Sequence, residues 1–151
     1  MATFIGDKSQ EYASELPATN FYPALKLVDF QKIYQFLEDQ TEESILLQME
    51  VDRAVVHAQL APITQTTTQS LTELSQTLFN NQTTAESIYK IAVFSLTAAN
   101  LIGSKMATDA TKAAADRQEA LTDKSMHLLN QYRNAIDNLL RQDSGYTFEL
   151  I

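Results

Sequence analysis

The chain has 151 residues, 44% of them hydrophobic, no cysteine and a net charge of −8 at pH 7. A length of this order suits one domain able to bury roughly 68–70% of its unfolded surface, and the missing cysteine excludes disulfides and thiolate metal sites. The acid excess is concentrated in residues 1–60, with ten acids and four bases, so broad attachment to a phosphate backbone through displaced counterions is disfavoured.

The most apolar run, Ile91 to Ile102, is too short for a membrane span and contains Ser95, Thr97 and Asn100. The start "MATFIGDKSQ" lacks the basic region and apolar core of a secretory signal. Residues 1–23 show no sustained period and are interrupted by Pro17 and Pro23. Phe4, Ile5, Tyr12, Leu16, Phe21 and Tyr22 make them too apolar for a purely solvated tail. They read as an N-terminal arm, ordered where it finds a surface.

Within residues 24–145 the pattern is helical. "LVDFQKIYQFLED" opens a first helix, with Asp29 as its cap and Phe30, Ile33, Tyr34 and Leu37 on one face. Thr41 is placed to cap a second helix over 42–60, with Glu42 and Glu43 at its positive end. Leu47, Val51, Ala54, Val55 and Ala58 are its expected buried stripe, and Pro62 its stop. Residues 64–84 are a Thr- and Gln-rich connection holding one short helix, announced by the capping box Ser70-x-x-Glu73 and by Leu71, Leu74 and Leu78.

A second box, Thr83-x-x-Glu86, starts a helix with Ile88, Ile91, Ala92, Ser95, Ala99 and Ile102 on one face and Gly103 as its stop. Thr108 or Asp109 caps a last helix over about 111–142, striped by Leu121, Ser125, Leu128, Tyr132, Ala135 and Leu139, and widened by Met126, Leu129, Ile136 and Leu140. Gly145 follows it, and "YTFELI" then alternates, with Tyr146, Phe148 and Leu150 on one side. The expected fold class is all-α, a four-helix bundle with an extended N-terminal arm and a strand-like C-terminal tail over 146–151.

Chemistry is sparse in this pattern. His57 and His127 lack the Glu-x-x-His spacing of a di-iron bundle, since Ala54 and Lys124 stand at the required positions. Asp123 and His127 are an i, i+4 helix pair, more in keeping with a surface contact than with catalysis. Gly6, Gly103 and Gly145 are too far apart for a phosphate loop. No catalytic residue, cofactor or metal ligand is expected. Apolar extremities on a self-sufficient bundle suit a subunit that embraces neighbours, because an extended segment can add to a partner through backbone hydrogen bonds.

The order of features resembles the tailed-phage head completion proteins of temperate myophages. The resemblance lies in "FYP" at 21–23, "LVDFQKIYQF" at 27–36, "TEESILLQMEVDRAVVHAQL" at 41–60, "IYKIAVFSLTAANL" at 88–101, "ATDATKAAADRQEAL" at 107–121, and the terminal "ELI" after "YRNAIDNLL". The chain departs from the family's habit in having no tryptophan. The resemblance implies a structural virion protein that forms a ring, often of twelve subunits, on the portal vertex after DNA packaging and joins the capsid to neck and tail proteins. Carried to this chain, Tyr146, Thr147, Phe148, Glu149, Leu150 and Ile151 would reach the portal. Phe4, Ile5, Tyr12, Leu16, Phe21 and Tyr22 would touch ring neighbours or the next neck protein. Packaged DNA would pass without specific binding, no membrane would be involved, and assembly would take place in the host cytoplasm. A helical interaction module outside phage assembly is the alternative, and a bundle enzyme a third reading.

Overall fold

The computed structural model describes residues 10–65, 70–108 and 112–144. Among them, Glu15–Leu16 (β1) pairs antiparallel with Leu25–Lys26 (β2), Leu16 lying opposite Leu25. Six helices follow: α1 Leu27–Ile33, α2 Glu42–Gln59, α3 Ala61–Thr64, α4 Leu71–Phe79, α5 Thr84–Thr108 and α6 Lys112–Ser144. The fold is all-α. The first of the four expected helices is only seven residues and breaks at Tyr34 into a 3-10 turn, Gln35–Leu37.

Helix α5 sits at the centre because its sequence is apolar on almost every side. Ala85, Tyr89, Ala92, Val93, Phe94, Leu96, Ala98, Ala99, Leu101 and Ile102 are all buried. A helix apolar all round must be covered all round, and α2, α4 and α6 pack along it. From α6 the core receives Leu128, Ala135, Ile136 and Leu139, with Leu121, Tyr132, Leu129 and Leu140 packed beside them, as the stripe predicts. Ser125 is half-buried and Met126 exposed.

Two of the expected caps are present. Thr41 Oγ1 accepts from the Ser44 amide at 3.1 Å, and Ser70 Oγ from the Glu73 amide at 3.1 Å. Asn80 closes α4 in the left-handed region at φ 59°, which asparagine tolerates better than most residues.

Five local expectations are corrected. Asp29 does not cap α1, which starts two residues earlier. The strap before it supplies a partner for an orphan amide, Leu27 N donating to the Ser14 carbonyl at 3.1 Å. Asp29 instead stands in the first turn, 4.0 Å from Lys90. The break at Tyr34 also turns Ile33 outward, while Phe30 and Leu37 stay in the core.

Pro62 does not follow α2 as a bare stop. It lies in the first turn of α3, where its missing N–H costs nothing. The start of α5 is capped by Asn81, whose Oδ1 accepts from the Thr83 and Thr84 amides and the Thr84 hydroxyl at 2.8–3.0 Å. The buried Ser75 hydroxyl takes the next amide, that of Ala85.

Gly103 does not end α5, which runs on to Thr108. A glycine inside a helix costs about 0.5–1 kcal/mol. The turn beyond it is held by Lys105 on Asp39 at 3.0 Å and by the Thr122 hydroxyl on the Met106 sulfur. Thr108 is the last residue of α5, and Asp109 lies outside the described residues.

The N-terminal segment expected as an arm is, from Gln10 onward, a strap folded onto the helices. Leu16 and Tyr22 are core residues at 5% exposure, and Tyr12 and Phe21 pack against the core half-buried. Leu16 and Tyr22 therefore spend their surface on this chain's own core, while Tyr12 and Phe21 keep part of theirs exposed. Phe4 and Ile5 lie outside the described residues, as do Tyr146, Thr147, Phe148, Glu149, Leu150 and Ile151.

Loss of an N-cap costs about 1 kcal/mol. Asn81→Ala is therefore expected to lower unfolding stability by about that amount in urea titration, and Thr83→Ala by less than half of it. The reverse order would restore the Thr83 box as the cap.

Candidate functional site

Helix α2 has two rows at the same four-three-four spacing, and the fold buries the less aliphatic one. Ile45, Met49, Asp52 and Val56 face inward. Asp52, 2% exposed, is held by the Gln48 side-chain amide at 3.1 Å and by Asn100 Nδ2 of α5 at 2.8 Å. Burial pushes its carboxyl above the usual range, and hydrogen bonds including those from Gln48 and Asn100 oppose this.

One turn on, His57 Nε2 shares a 2.7 Å hydrogen bond with the Tyr89 hydroxyl. Tyr22 of the strap stacks on both rings, with centroids 4.0 Å from His57 and 4.6 Å from Tyr89. Burial, with Arg53 nearby, lowers His57 to about 4, so the imidazole is neutral at pH 7. Burial raises Tyr22 and Tyr89, which keep their protons.

The strap is fastened mainly through its backbone. Arg53 Nη1 donates to the Pro17 carbonyl at 2.8 Å, and the Leu71 amide of α4 to the Phe21 carbonyl at 3.0 Å. The Ala13 and Ser14 amides donate to Glu42 Oε2 at 3.1 and 2.9 Å. Bonding by Ser14 above all holds the Glu42 carboxyl below the usual carboxylate range.

With those groups inside, the stripe expected in the core points out. Leu47 is 66% exposed, Val51 54% and Val55 41%, and Ala54 and Ala58 are exposed too. This corrects the buried-face reading of α2. The two rows are equally periodic, and Asp52 made the buried one look polar. The signal that could have chosen between them was the polar side chain of Asn100 on α5, which needs a partner and finds it in Asp52.

Positions 47, 51, 54 and 58 form a seam about 17 Å long at 1.5 Å per residue. The exposed Glu43 and Glu50 stand beside it. Apolar surface with a polar rim is the mark of a protein-binding site, and four-three-four spacing with small Ala54 and Ala58 suits a helix laid against it. Docking would remove about 1 kcal/mol of exposed apolar surface at each of Leu47, Val51 and Val55.

Elsewhere His127 is exposed on α6. No group of three or more metal-ligating side chains occurs among the described residues, nor any helix long and apolar enough to cross a membrane.

A helical body that turns its polar groups inward, where they hold its own strap, and one aliphatic helix face outward has the build of an assembly subunit. The chain belongs to the phage head completion protein (GPL) family, matched over residues 16–151, as the sequence resemblance implied. No curated protein and no solved structure matches it. Membership gives it a role in building the phage head, among other components of the virion.

His57 is neutral in the fold but titrates near 6.5 when unfolded. Acidification from pH 6.5 therefore protonates the unfolded chain first and drains stability down to about pH 4, where the folded form protonates too. His57→Phe keeps an aromatic ring under Tyr22 and is expected to flatten this part of the urea midpoint against pH. An unchanged slope would place the titration elsewhere.

Proposed function

We propose that this protein is the subunit of a ring, of about twelve copies, that docks on the portal vertex after DNA packaging and joins the capsid to neck or tail proteins. Membership of the head completion family carries the reading, and the outward face of α2 supports it, since a ring subunit must leave apolar surface for its neighbours. Contacts between unlike faces of one chain close into rings, and many weak contacts act together once linked. Within this reading Tyr146 to Ile151 are the portal-binding segment, Phe4 and Ile5 touch a ring neighbour or the neck, and Leu47, Val51 and Val55 are buried between subunits. The role is structural rather than catalytic. A charge of −8 suits a conduit that DNA leaves without being held. The family match sets aside the reading as an interaction module outside phage assembly.

Two variants test it. Val51→Glu lies on an exposed face, so helicity and urea midpoint should stay within about 0.5 kcal/mol of the parent, while rings on purified portal vertices disappear in electron micrographs. A deletion of residues 146–151 should leave unfolding unchanged and abolish capture by portal. Normal rings with Val51→Glu would remove the α2 face from the assembly, and unchanged portal affinity after the deletion would remove the C-terminal segment.

A further inference from the structure

The strap is held more lightly than the helices it covers. Of residues 10–22 only Leu16 and Tyr22 are buried. The ladder with β2 is two residues long, and the bonds from Gln10, Ala13 and Pro17 to Gln31, Glu42 and Arg53 are exposed. Tyr22, the larger of the two anchors, is 5% exposed, and its hydroxyl has no hydrogen-bond partner among the described residues. We propose that residues 10–22 are a latch, which opens as one piece into a minor state while the helical body stays folded. The latch does not depend on the ring reading.

Three observations carry it. The first is the Tyr22 hydroxyl. Its ring gains from the stack on His57 and Tyr89, but a buried hydroxyl without a partner has lost its hydration and received nothing in exchange. Water satisfies it once the strap lifts. Closure is thus opposed by an atom of the very residue that anchors it. The second is how little else holds the strap down. Segments with few buried apolar contacts and exposed backbone hydrogen bonds open at free energies below that of global unfolding.

The third is what stays in place without it. Helix α5 is packed by α2, α4 and α6, and the His57–Tyr89 hydrogen bond joins α2 to α5 directly. Leu25 and Leu27, just beyond Pro23, are fully buried and remain with the body, so the pivot falls at the half-buried Pro23 and Ala24. The two anchors leave together because a turn links them: Thr19 N donates to the Tyr22 carbonyl at 2.9 Å, and Tyr22 N to Thr19 Oγ1 at 3.0 Å. Two amides of the body report the event. Leu27 N of α1 donates to the Ser14 carbonyl and Leu71 N of α4 to the Phe21 carbonyl, and both lose these acceptors when the latch opens.

The test is residue-resolved hydrogen exchange by NMR on the full-length protein, under conditions where exchange reports the opening equilibrium. The amides of Ser14, Leu27 and Leu71 should share one protection factor, about a hundredfold below that of Val93 and Leu96 in α5. Tyr22→Phe keeps the ring stack and removes the unpaired hydroxyl, so it should raise protection at all three amides about tenfold. Fraying from the N-terminus would instead leave Leu71 as protected as α5 while Ser14 exchanges fast, and that gradient overturns the proposal. Protection at the α5 level for all three amides overturns it too, because the strap then opens only with the whole fold. So does a Tyr22→Phe variant whose three amides are unchanged or less protected.

Discussion

The stack of Tyr22 on His57 and Tyr89, with the Asp52–Asn100 hydrogen bond one turn away, decides which way α2 faces. Buried polar groups left without partners cost more than an exposed valine. Rolling α2 by half a turn would bury Leu47, Val51 and Val55, but it would strand Asn100 and the Tyr89 hydroxyl against aliphatic side chains. The fold therefore gives up aliphatic burial to satisfy Asn100 and the Tyr89 hydroxyl of α5. It gains from the same contacts a place for the strap, whose Tyr22 completes the stack.

That choice explains what could be read from the chain and what could not. The caps Thr41 and Ser70, and the long stripe of α6, were legible because each depends on residues a few positions apart. The inner row of α2 was not, because its worth is set by Asn100, forty-eight positions away. The same holds at α1, where a strap carbonyl supplies the role that Asp29 was expected to fill. At Gly103 local propensity was outweighed by contacts from Asp39 and Thr122. Of the residues expected to meet partners, Leu16 and Tyr22 are used internally. The α2 face that is left open was read from the same periodicity and assigned the opposite side.

Seen from outside, the protein divides its labour along the length of one helix. The inner side of α2 holds the strap, α5 and the first turn in a fixed relation, with polar contacts that specify geometry. Its outer side offers aliphatic surface, which is permissive about what it meets and gains energy from area rather than from direction. A member of a head completion family benefits from that pairing, since a subunit has to be rigid on its own and adhesive to others.

The named ion pairs, Lys32–Glu11, Lys90–Asp29 and Lys105–Asp39, sit at the surface, their side chains 31–68% exposed. Exposed pairs of this kind add about 0–1 kcal/mol each and fade as salt rises. Ionic strength should then scarcely touch the folded monomer. In the proposed ring, by contrast, subunits that each carry −8 would repel one another, and added salt would mute that repulsion while leaving greasy contacts in place. For such a ring, brine would be a dial on joining up rather than on folding.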